Sequence, residues 1–123
     1  MPKKLKPDAV ILVNPFQAQV AIFRDLEKLS KYHRKVLRIT VDFDRSAHAM
    51  ASEQVDEDGC RWWSLYLPEE TTLGTVVHEC SHMVDFLMEA HGVPLSVANT
   101  EIRAYLLGVL FMDVCHELKI GDA

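Results

Sequence analysis

His78 and His82 stand four residues apart in the run His78-Glu79-Cys80-Ser81-His82. On an α-helix this spacing puts both imidazoles on one face, one turn apart, near enough to share one tetrahedral metal ion. Glu79, offset by about 100° around such a helix, would flank the ion rather than bind it. There it could take a proton from a metal-bound water. Leu73, Val76, Val77, Val84, Phe86, Leu87 and Met88 surround the motif. The pair is therefore expected against the body of the protein, where two neutral imidazoles are costly unless hydrogen bonded or coordinated. Zinc suits nitrogen donors, and another divalent transition metal could occupy the same site.

A catalytic zinc generally takes three protein ligands and leaves a fourth position for water. Glu101 is the preferred third ligand, because a tight connection after Gly92 would return the next helix antiparallel and carry it back towards the pair. Ala104 and Gly108 share roughly its face and are small enough for close helix approach. Asp85 is the rival, three residues past His82 and on the metal face too; failing ligation, it would accept from an imidazole N–H. Tyr105, one turn beyond Glu101, could donate to a developing oxyanion. His91, just before Gly92, suits a helix C-terminus. His33, His48 and His116 have no spaced partner. Cys80 reads as a small packed hydrophobe.

With these residues in place, HECSH followed after eighteen residues by Glu101 within NTEIRAYL resembles the gluzincin arrangement of metallopeptidases. In that group a Glu on the following helix completes the site. The Glu101 to Ala104 step is similar to that of minimal bacterial zincins, and TLGTVVHECSHMVDFL through EIRAYLLGVL resembles small HExxH proteins encoded in phage and prophage genomes. The likeness covers about residues 71–112. It departs from the thermolysin type at Tyr105, where an Asp often stands. The resemblance implies a zinc-dependent metallopeptidase-like hydrolase, with a peptide or protein as substrate. It also implies that an extended peptide would dock along a strand like the one inferred around Trp62 and Trp63, by main-chain hydrogen bonds.

Periodicity supplies the elements that must position these groups. Ala9 to Val13 reads as a first strand stopped by Asn14 and Pro15. Phe16, Val20, Phe23, Leu26 and Leu29 step as an amphipathic helix over 16–31. Leu37, Ile39, Val41 and Phe43 alternate as a half-buried strand. Residues 44–59 read as irregular, ending in a turn at Asp56 to Gly59. Cys60 to Leu67 is a strand, inferred to lie at a sheet edge, and Pro68 ends it. Thr71 or Thr72 caps the motif helix, which stops at Gly92, and Asn99 or Thr100 caps a last helix over 101–119. The sum is an α+β fold: a small antiparallel sheet packed on helices, minimal and zincin-like, with the HExxH helix followed by a second long one.

The 123 residues fit one domain, expected over 8–123 behind a flexible basic tail at 1–7. A net charge of −5 argues against nucleic acid as a partner. No run is long enough to span a bilayer, and no signal peptide is evident. Cys60, Cys80 and Cys115 are odd in number and widely spaced, which suggests reduced thiols and a cytoplasmic setting. The short chain also motivates a second expectation: a non-catalytic zinc-binding phage or prophage protein that acts through contact with a phage or host protein.

Overall fold

A computed structural model of the protein describes residues 5–120; the first four residues of the expected tail and the last three of the chain lie outside the described residues. Ala9–Val13 forms β1, turns through 14–17, and is paired antiparallel by β2, Ala18–Phe23. The expected helix over 16–31 is thus divided, and only Leu26–Tyr32 becomes helix α1, capped by the Asp25 carboxylate on the Glu27 N–H at 2.9 Å. Val20 and Phe23 satisfy a helical step, but Ala18, Val20 and Ile22 also alternate. A neighbouring strand decides between the two periods.

The helical path continues as a wider turn over 33–37 and ends at Arg38, whose φ of 58° is left-handed. The strand expected over 37–43 does not form. Ile39 and Phe43 are buried, as their alternation requires, yet the segment joins no ladder among the described residues. A strand does form within the stretch read as irregular: Met50–Val55 is β3, paired antiparallel with β4, Arg61–Tyr66. The Asp56 carboxylate organises the turn between them, accepting from the N–H groups of Asp58 and Cys60 and from the Trp62 indole, each at 2.9 Å. These bonds, the Trp62 one foremost, hold its pKa below the usual carboxylate value.

β2 and β4 pair in parallel, giving a mixed sheet in the order β1-β2-β4-β3. The fold is α+β as expected, and the sheet is mixed rather than wholly antiparallel. β4, flanked on both sides, is not the edge strand inferred around Trp62 and Trp63; β3 and β1 are the edges. One sheet face carries Val20, Ile22 and Leu65 and is covered by α2, Leu73–Ala90, and α3, Thr100–Leu118. No described helix is long and apolar enough to cross a membrane.

The other face carries Phe23, packed with Leu26, Leu29 and Phe43. His33 is buried beside this cluster, with its ring edge-on to Phe43 at 5.3 Å. Its Nδ1 donates to the Leu29 carbonyl at 3.1 Å, while Nε2 meets no partner among the described residues. Burial pushes its pKa down despite the bond to Leu29. The unfolded chain therefore binds a proton at His33 as pH falls below about 6.5, the usual histidine value, while the folded chain resists doing so. Stability from this group is complete above that value and is lost as pH falls through the lowered folded pKa. Thermal melts between pH 7.5 and 5 should show a falling midpoint for the native protein, and His33→Phe should flatten part of that slope.

Candidate metal centre

α2 begins where Thr72 turns extended and its hydroxyl accepts from the Thr75 N–H at 3.2 Å. It ends at His91 in a Schellman motif: Val93 N–H reaches the Met88 carbonyl at 2.8 Å, and Gly92 N–H reaches Glu89 at 3.2 Å. Gly92 takes the positive φ of 74° that this stop requires. Between the caps, Val76, Cys80, Met83, Val84, Leu87 and Met88 are buried. Cys80 is fully buried, and burial pushes its thiol up to about 12, which suits the expected packing role and makes it a poor nucleophile.

At about 100° per residue, His78 and His82 fall opposite the Cys80 side of this stripe, and both are exposed. The expectation that the pair lies against the protein body is therefore corrected. The apolar residues around the motif are not all core: Leu73 and Val77 also face solvent. The two rings are nonetheless brought together, with centroids 4.8 Å apart, planes at 81°, and Nε2 atoms 3.2 Å apart. Two nitrogens held at about 2.0–2.1 Å by one tetrahedral ion would stand roughly 3.3 Å apart. The donor type and spacing thus fit two corners of a zinc-like site.

The remaining residues of the reading are less gathered. Glu79 is half-buried beside the pair in sequence. Asp85 accepts from Arg103 Nε at 2.8 Å, and the same guanidinium donates to the Ser81 hydroxyl. Asp85 is thus engaged across the α2–α3 seam, and its partner among the described residues is Arg103 rather than an imidazole. Glu101 is exposed in the first turn of α3, and about 140–180° of helix rotation separates it from the buried Leu106, Leu110 and Val114. No three His, Cys, Asp or Glu side chains among the described residues are grouped to hold one ion, so Glu101 does not join the pair here. Gly108 and Ala104 are exposed, and a Cβ built on Gly108 would meet nothing within 4 Å. They do not form the close helix approach expected of them. Tyr105 is 68% exposed.

His91 caps α2 as expected, its Nδ1 donating to Leu87 at 2.7 Å, and it also stacks on Phe16 at 4.3 Å. The Trp63 indole donates to Glu53 at 2.8 Å across β3–β4, so both tryptophans are tied to acids near the hairpin. Reading the sequence for chemistry missed Arg103. Its signal was a lone cation near the start of the helix that returns along Ser81 and Asp85.

No family profile, curated protein or solved structure matches the chain. The geometry of the pair therefore stands by itself, and metal content tests it. His82→Ala should abolish stoichiometric zinc binding measured by elemental analysis. Asp85→Ala should retain it and destabilise the fold by about 1 kcal/mol or less, the usual worth of a half-exposed ion pair.

Proposed function

We propose that the protein is a metal-dependent hydrolase of the zincin kind, acting on peptide bonds, with His78 and His82 as two ligands of a zinc ion. The observation that carries this reading is the 3.2 Å approach of the two Nε2 atoms on one helix face, with a glutamate between them in sequence. When bound, such an ion lowers the pKa of a coordinated water and polarises a carbonyl oxygen. Glu101, at the start of the adjoining helix, is the third ligand in this proposal. Glu101 is exposed, whereas Asp85 is engaged by Arg103. Glu79 accepts the proton of the attacking water and returns it to the leaving amine. Tyr105 donates a hydrogen bond to the oxygen that gains charge.

An extended peptide has an edge strand to pair with. β3 lies at the sheet edge and packs against α2, so strand addition there, rather than at β4, would bring a backbone alongside the helix that bears the pair. The zinc-loaded protein should cleave an unstructured substrate such as casein, and Glu79→Gln should lower that rate by about 10²-fold or more with zinc content unchanged. Equal rates for the two proteins would remove the catalytic reading.

The exposure of both imidazoles, together with the lack of a grouped third ligand among the described residues, favours a second reading. In it the chain is a non-catalytic zinc-binding protein of phage or prophage type, and a partner protein completes the coordination. Under that reading Glu79→Gln leaves biological function intact, and His82→Ala removes it along with the metal.

A further inference from the structure

The two long helices divide the sheet between them: α2 packs on β3 and β4, and α3 packs on β1. β1 lies at the sheet edge, paired with β2 on one side and with no strand on the other among the described residues. Edge strands are usually blunted by charge, by proline or by a bulge. The five residues of β1 are all apolar and keep an unbroken register with β2. Ile11 and Val13 are buried in the core that α3 covers, whereas Val10 and Leu12 point to the other face and are exposed. β3, the opposite edge, is more polar and carries Glu53.

α3 is unfinished on the same flank. Arg103 marks the side that meets α2. Ile102, Tyr105, Val109 and Met112 lie about 100–180° around the helix from it, and they are 44%, 68%, 39% and 70% exposed. Their steps of three, four and three residues are those of a helix–helix seam. With Val10 and Leu12 they expose on the order of 600 Å² of apolar side chain, the upper end for a monomer's largest patch. A standard interface takes roughly 800 Å² from each partner, and the backbone edge of β1 adds to the total.

We propose that β1 and the outer face of α3 together form a two-fold interface with a second copy of this chain. Antiparallel pairing about Ile11 sets Val10 of each copy beside Leu12 of the other. Four strands at about 4.8 Å span about 19 Å, and two helices packed about 8–10 Å apart cover nearly the same width. Strand pairing therefore brings the second α3 to packing distance from the first, and one contact does not exclude the other. A two-fold axis normal to the sheet also runs the two α3 helices antiparallel. Glu101, in the first turn of the stripe, then meets His116 in the last turn of the second copy. Acid at one end and histidine at the other make the stripe complementary to an inverted copy of itself. The interface leaves β3 free and does not depend on whether His78 and His82 hold a metal.

Sedimentation equilibrium of the full-length protein at about 0.1 mM, where a dimer of micromolar Kd is mostly formed, should give the mass of two chains. Val10→Lys, and separately Tyr105→Glu combined with Met112→Glu, change exposed positions and should each raise Kd at least tenfold by placing charge in the seam. Hydrogen exchange of the β1 amides should slow as protein concentration rises. A monomer at that concentration overturns the proposal and assigns the face to a partner of another kind. A dimer that both sets of changes leave intact also overturns it, because the contact then lies elsewhere. Should a variant fail to fold, the concentration dependence of β1 exchange in the native protein still decides.

Discussion

The packing of α2 on the sheet fixes nearly everything else. Val76, Cys80, Val84 and Leu87 recur at three and four residues and press onto the face formed by Val20, Ile22 and Leu65. Once that stripe is down, helical geometry leaves no choice about His78 and His82: they must stand on the far side, in water. Fully burying an aliphatic side chain is worth about 1.5–3 kcal/mol, so rotating the helix to bury the imidazoles would sacrifice several such contributions. The outward direction of the pair is a consequence of the core, not an independent feature.

α3 is held to α2 by two kinds of contact that differ in what they specify. Leu106, Leu110 and Val114 supply burial, which is strong but tolerates sliding. Arg103, bonded to Asp85 and Ser81, supplies direction, because a planar guanidinium satisfies both only in one register. That register also decides which acids remain available. Asp85 is paired with Arg103 within the seam, while Glu101 stays exposed on α3.

Much of this was legible in the residues. The motif helix, its threonine cap at Thr71 or Thr72 and its Gly92 stop were readable because each rests on local chemistry within a few residues; the structure selects Thr72. The same holds for β1, β4 and the turn at Asp56 to Gly59. What escaped the reading depends on distant partners. Ala18 to Phe23 carries two periods at once and becomes a strand only because β1 and β4 border it. Met50 to Val55 has little strand propensity, and its pairing with β4 makes it one. The direction of the His pair was misjudged because apolar residues surround the motif on several sides, and sequence does not say which of them the sheet will cover. His33 and Ser64 lie thirty-one positions apart in sequence, and nothing local announces that each keeps a buried polar atom without a partner among the described residues.

The fold itself gives no reason for imidazoles at positions 78 and 82. Exposed helix positions are better filled by alanine, lysine or glutamate, each with higher helix propensity than histidine. Neither ring packs into the core, and neither caps a helix end. A hydrogen bond between two exposed rings adds little, since water competes for both. Against that background, a close pair of nitrogens one turn apart is costly to the helix, if only slightly, and useless to the packing. A shared cation would turn both into assets, which is why the metal proposal explains the residues where stability does not.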